Sequence, residues 1–166
     1  MTTPTTTRIS YKTPVGVLGL EGTDEALTYV LLPDVAAAGP AAPDAGDVVV
    51  LPAALEAAVA QLGEYFEGSR RSFDLPMELR GTPFQCDVWR ALADIPYGET
   101  ISYAELAVMV GRPGAFRAVG QANGANPIPI VLPCHRVVAS GGGIGGYGGG
   151  LPLKRRLLAL EGVTDL

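Results

Sequence analysis

Apolar positions in the first third of the chain come in short runs rather than in a helical rhythm. "PVGVLGL" and "ALTYVLLP" flank "EGTDE" over residues 14 to 33, a pattern that predicts a hairpin of two strands. The Ala/Pro/Gly stretch from 36 to 47 has no periodicity and reads as a flexible loop. Leu55, Val59, Leu62 and Phe66 then recur at three- and four-residue intervals ahead of Gly68, which predicts an amphipathic helix over about 52 to 67. "SFDLPMEL" reads as a further strand before a break near Gly81, and the opening "MTTPTTT" as a polar, frayed start.

Beyond Gly81 the pattern is one of helices and loops. Thr82 with Gln85 three positions on forms a capping box, Pro83 suits a first helical turn, and Phe84, Val88 and Leu92 mark a buried stripe that ends at Ile95-Pro96. A second capping box, Ser102 and Glu105, opens a short helix through Val110 that stops at Gly111. Pro113 is expected to start the next helix, which runs to about Gly124 before Asn126-Pro127 forces a turn. Two short helices joined by "GRP" make a helix-turn-helix candidate over 102 to 124. Its second helix is unusually rich in small residues: Gly114, Ala115, Ala118, Gly120, Ala122 and Gly124. Interior glycine costs a helix about 1 kcal/mol relative to alanine, so close approach by another surface is the expected compensation. That surface is either a neighbouring helix or a nucleic-acid groove into which Arg117 projects. The last helix is expected to begin at Pro152, to bury Leu153, Leu157 and Leu160, and to end at Gly162.

Charge changes this picture more than composition does. The 166-residue chain is acidic overall, with a formal charge of -5 and a pI near 4.8. Residues 1 to 80 carry 5 Lys+Arg against 11 Asp+Glu, whereas residues 81 to 166 carry 7 against 6, so an anionic partner should meet the second half. Two cysteines, no apolar run near twenty residues and no basic-then-apolar leader argue for a soluble cytoplasmic protein without disulfide scaffolding or membrane insertion.

The candidate chemistry gathers around "PCHRV" at 133 to 137, which holds Cys134 and the single histidine, His135. A cysteine nucleophile must shed its proton, and adjacent side chains in extended chain face opposite ways, so a tight turn or a bridging water is needed to make the two a pair. The dipeptide by itself leaves a buried thiol beside an unrelated histidine equally open. Glu161, in the last helical turn, opposes the helix dipole, and Lys154, Arg155 and Arg156 oppose it at the other end. Such reversed charges point to external partners: Glu161 to orient a histidine, the basic cluster to meet phosphate. "GGGIGGYGGG" at 141 to 150 contains the spacing GxGxxG from Gly143 to Gly148, but no strand precedes it and the helix begins too late for a dinucleotide site. It reads as a mobile pocket wall with Tyr147 as its one large side chain. Two cysteines and one histidine do not make a four-ligand zinc site, and neither metal nor cofactor is expected.

Taken together, "IPYGETISYAELA", "GAFRAVGQANGANPIPIVLPCHRVV" and "GYGGGLPLKRRLLALEG" closely resemble the O6-alkylguanine-DNA alkyltransferases, almost unbroken from about residue 80 to 162. The resemblance implies an α+β protein: an RNase H-like α/β domain over 1-80, and a mainly helical, winged-helix-like domain with a helix-turn-helix over 81-166. It implies direct damage reversal, in which a flipped guanine in duplex DNA gives its O6 alkyl group to Cys134 in a single-use reaction, with O4 of thymine as an alternative substrate. By motif position His135 is the water-mediated base, Glu161 orients it, and Asn126 holds the active-site segment. Tyr103 donates to guanine N3. Arg117, on a helix made slim by Ala118 and Gly120, fills the gap in the stack from the minor groove. Val137, Tyr147 and Gly148 line the base pocket. A monomer is implied, with cooperativity on DNA left open.

Two departures stand out. Some relatives bind zinc in the N-terminal domain, for which this chain lacks ligands, and some have a hydroxyl residue where it has Gly148, which leaves pocket width open. Three competing functions are a damage binder without a nucleophile, which Cys134 argues against; a cysteine hydrolase, which leaves the helix-turn-helix unexplained; and a regulatory DNA-binding module indifferent to loss of Cys134.

Overall fold

A computed structural model describes residues 4–166; of the polar start, Met1 to Thr3 lie outside the described residues. The chain divides into two compact units, residues 1–79 and 80–166.

The first unit is built on three antiparallel strands, β1 (Thr7–Thr13), β2 (Gly16–Gly22) and β3 (Leu27–Leu31), in that order. The expected hairpin is therefore β2–β3, and β1 is a strand that the apolar pattern did not reveal. "TRISYKT" buries only Ile9 fully; Lys12 is exposed and the other five residues are half-buried, and most of them are polar. The 36–47 stretch is likewise not a free loop. It begins as a short helix, α1 (Pro33–Ala38), and then lies along the open edge of β1, where Ser10 N–H donates to Pro43 O at 2.8 Å and Ala45 N–H to Ser10 O at 2.8 Å. Such pairing covers an edge that would otherwise recruit other strands. Helix α2 (Ala53–Glu67) ends at Gly68 in the left-handed region and lays Leu55, Ala58, Leu62 and Tyr65 against Ile9, Leu18, Leu20 and Leu27 of the sheet. "SFDLPMEL" forms no strand: it meets β3 through a single bridge between Leu27 and Met77, and Pro76, which has no N–H, interrupts any ladder.

In the second unit, both capping boxes are present. Thr82 Oγ1 accepts from Gln85 N at the start of α3 (Pro83–Leu92), and Ser102 Oγ accepts from Glu105 N at the start of α4 (Tyr103–Met109). Helix α5 (Phe116–Gly124) completes the helix-turn-helix but starts three residues later than Pro113. Gly114 at φ +87° belongs to the turn, and Ala115 is the non-helical residue that precedes the helix. Trp89 of α3 donates its indole N–H to Ala122 O at 2.8 Å, so Ala122 is small because a neighbouring helix approaches there. Phe116, Arg117, Ala118, Gln121 and Gly124 face outward instead. A two-stranded parallel ladder joins β4 (Ile101–Ser102) to β5 (Val137–Val138), immediately after a 3-10 turn at Cys134–Arg136. Helix α6 (Leu151–Leu160) buries Leu153, Lys154, Leu157 and Leu158; Leu160, expected inside, is 36% exposed because the stripe runs through Leu158.

Candidate active site

The segment carrying Cys134 is held in an unusual conformation. Asn126 Oδ1 accepts from Ile128 N at 3.0 Å while its Nδ2 donates to Leu132 O at 2.7 Å, so one side chain ties both ends of the turn. Between them, Ile130 has φ +75°, which for a β-branched residue costs about 1–3 kcal/mol and persists only where the surroundings enforce it. The chain then enters the 3-10 turn. This conformation removes the extended-chain objection to a Cys-His pair, since consecutive side chains turn about a common axis instead of alternating.

His135 is fully buried, and its Nε2 lies 2.7 Å from Glu161 Oε2. The same carboxylate accepts from Arg136 Nε at 2.8 Å and Nη2 at 3.0 Å, and from the Gly98 N–H at 3.2 Å. Arg136 Nη1 donates to Ile95 O at 2.6 Å, and the guanidinium stands over the Tyr97 ring. A carboxylate gripped by an arginine fork can only accept, so the proton of the imidazole sits on Nε2 and Nδ1 carries the free lone pair. Nδ1 is buried and has no hydrogen-bond partner among the described residues. Burial lowers the His135 pKa below 6.5 against the pull of Glu161, which keeps the ring neutral and able to take a proton.

Cys134 is 6% exposed, and burial pushes its thiol up to about 11, opposed by the Asn126 amide, the Lys154 charge and the Tyr147 hydroxyl. The resting thiol is therefore protonated, and reaction requires that the proton be handed on. Asn123, buried on α5, brings its Nδ2 to 3.5 Å from Cys134 O. Tyr103 opens α4, with its pKa raised by burial and, to a smaller extent, by Cys134, while the Gly146 N–H opposes the shift.

Tyr103 also lines an open groove of about 460 Å³ together with Phe116, Arg117, Gly120 and Gln121. A β-carbon on Gly120 would come within 3.6 Å of the Tyr103 ring. The structure thus brings Cys134, His135, Glu161, Asn126, Tyr103 and Tyr147 together and puts Arg117 and Gly120 at the groove. Ala118 is exposed on α5 without lining that groove, Val137 is buried, and Gly148 is exposed with open space where a side chain would be.

One expectation is overturned. Lys154 meets no phosphate from outside: its side chain is wholly buried, and Nζ donates to Val137 O, Ile144 O and Gly146 O at 2.7, 2.6 and 2.9 Å. Only Arg155 and Arg156 of the basic cluster are exposed. Arg136 and Asn123 went unassigned in the sequence. Arg136 lies inside the quoted "PCHRV", but a charged residue at a buried position has no local signature.

The second unit thus joins an outward-facing helix-turn-helix to a buried thiol, imidazole and carboxylate. Comparison with known proteins identifies the family in which these features occur together. Residues 83–163 match the DNA binding domain of 6-O-methylguanine DNA methyltransferase, and residues 7–79 match the ribonuclease-like domain of the same family. A methylated-DNA--protein-cysteine methyltransferase of Mycolicibacterium paratuberculosis is 51% identical over 156 residues, 92% of each chain. The solved O6-methylguanine methyltransferase of Mycobacterium tuberculosis superposes with a TM-score of 0.81 at 43% identity, covering 98% of this chain and 95% of that one. A structure of Mycobacterium tuberculosis OGT in complex with DNA superposes equally well, at 47% identity over 93% of this chain and 91% of that one. The chain belongs to the 6-O-methylguanine DNA methyltransferase family, with a ribonuclease-like N-terminal domain and a DNA-binding C-terminal domain.

Proposed function

We propose that this protein repairs duplex DNA by moving the alkyl group from O6 of guanine onto Cys134, once per molecule. The observation that carries the reading is the buried chain of His135, Glu161 and Arg136 next to the buried Cys134 inside the DNA-binding unit. The Cys134 proton passes through a bridging water to His135 Nδ1, whose Nε2–H is already committed to Glu161. The thiolate attacks the alkyl carbon; the S–C bond forms as the C–O6 bond breaks, and its electrons return to the purine. Tyr103 donates its proton to N3 as that charge develops, and the proton held on His135 makes good the loss. The products are guanine and an S-alkyl thioether. A thioether is a poor leaving group and no hydrolytic step follows, so the protein does not turn over.

Arg117 and the small outward residues Ala118 and Gly120 are the surface for the minor groove, and the apolar Phe116 beside them extends it. Val137, Tyr147 and Gly148 form the base pocket. The space beside Gly148 favours tolerance of alkyl groups larger than methyl. Among the described residues no helix is long and apolar enough to cross a membrane. Cys86 and Cys134 are buried and form no disulfide, which supports a reducing, cytoplasmic setting. The repair unit is taken to be a monomer, since one chain holds every proposed site residue.

The test is to incubate the protein with duplex DNA containing one O6-methylguanine and map its tryptic peptides by mass spectrometry. A 14-dalton gain, the mass of one methylene, on the Cys134 peptide is expected. Repaired guanine with an unmodified Cys134 would overturn the reading.

A further inference from the structure

Lys154 sits in the first turns of α6, where the positive end of the helix dipole gives a cation nothing, and its side chain has no contact with solvent. What holds it there is a match of number. An ammonium has three N–H groups, and three carbonyl oxygens, those of Val137, Ile144 and Gly146, lie within 2.9 Å of Nζ. These acceptors come from two places. Val137 begins β5 directly behind the Cys134–Arg136 turn, whereas Ile144 and Gly146 lie in the glycine-rich loop. The loop has little rigidity of its own: Gly141, Gly142 and Gly145 all have positive φ, and a bond from Ala139 N–H to Gly143 O ties it to the end of β5. The loop also packs on Tyr103: a β-carbon on Gly145 would come within 3.0 Å of the Tyr103 hydroxyl, and the next carbonyl, that of Gly146, is held by Lys154. The residue after Gly146, Tyr147, counters the upward shift that burial gives the Cys134 thiol.

We propose that Lys154 is a positioning residue for alkyl transfer: its buried ammonium pins the glycine-rich wall to the strand behind Cys134 and so sets the Tyr103 and Tyr147 hydroxyls around the thiol. This rests on the reading of Cys134 as the alkyl acceptor. The role depends on charge as well as shape, since an amine has one N–H fewer and no field to draw the thiol proton away. The ionisable groups that face Lys154 are Cys134, whose thiolate form favours the ammonium, and neutral His135 from the same turn. Burial brings the Lys154 pKa down to about 8, so the clamp loosens within an accessible range.

The consequence runs against ordinary thiol chemistry. A nucleophile limited only by a thiol near 11 should react faster at each step from pH 8 to 10, whereas this protein should slow above about pH 8. Single-turnover rates at saturating methylated duplex, from pH 6 to 9.5, are to be measured for the wild type and Lys154→Met. DNA affinity, far-UV circular dichroism and hydrogen exchange of residues 141–149 are to be followed in parallel. The wild type should show a falling alkaline limb. Lys154→Met should lack that limb, react about 10²-fold more slowly at neutral pH as a misplaced pocket does, and keep DNA affinity within about twofold. Its loop amides should exchange faster. A wild-type rate that climbs through pH 9.5, or loop exchange unchanged in a folded Lys154→Met, would overturn the proposal. If the variant does not fold, the wild-type pH limb still decides. Absence of any Cys134 adduct in the wild type would instead remove the reading of function, while loop exchange would still report on the clamp.

Discussion

The two units of this chain treat charge in opposite ways. In the first, ion pairs are loose and at least partly solvated: Lys12 and Asp44 are 3.5 Å apart with the lysine side chain 79% exposed, and Arg8 and Glu21, 22% and 25% exposed, approach only to 3.9 Å. In the second, His135, Arg136, Lys154 and Glu161 are all buried, and each has partners placed to hold it. Exposed pairs of the first kind are worth about 0–1 kcal/mol. Buried ions cost several kcal/mol to desolvate and rarely improve stability over an apolar substitute, so their concentration in one unit marks where chemistry was selected over packing.

The largest expected effect is at Glu161. Glu161→Gln removes the charge that orients His135 and stabilises its protonated form, and the transfer rate should fall by about 10²–10⁴-fold in a single-turnover assay. DNA binding, proposed to run through α5, should stay close to that of the wild type. Arg136→Leu comes next: it leaves the Glu161 carboxylate buried without its fork and should cost about 3–5 kcal/mol in urea denaturation. A loss below 1 kcal/mol would place this pair with the surface pairs of the first unit and break the contrast.

How much of this could be read from sequence differs between the units for related reasons. The capping boxes at Thr82 and Ser102 are local, and both stand as read. Helix α2 announced itself by its apolar interval and Gly68. Strand β1 did not, because a strand that buries one residue in seven has no alternation to detect. In the site, Cys134 and His135 were legible as a motif, but their relation depended on a 3-10 turn and a strained Ile130 that Asn126 enforces over a distance. Lys154 was misread because its partners are main-chain carbonyls, and carbonyls leave no trace in a sequence.

Acidity offers a smaller effect on the same comparison. The native His135 pKa is depressed below 6.5, so the unfolded chain binds the extra proton first as pH falls. Stability from the neutral imidazole is complete above about 6.5 and declines as pH drops below it, and the transfer rate should decline along with it as the base is lost. His135→Asn should flatten the stability change between pH 7 and 5; an identical acid profile in that variant would assign the transition elsewhere. The smallest effect is at Lys12→Ala, which should change stability by less than about 1 kcal/mol and leave transfer untouched.

The central claim is that the buried chain ending at Glu161 makes Cys134 an alkyl acceptor that works once. The most direct measurement is to titrate the protein with an excess of duplex carrying a radiolabelled O6-methylguanine and count methyl groups bound per molecule at the plateau. A plateau at one is expected, located on Cys134 and absent from Cys134→Ala. A count that keeps rising with time, or label retained by Cys134→Ala, would contradict it.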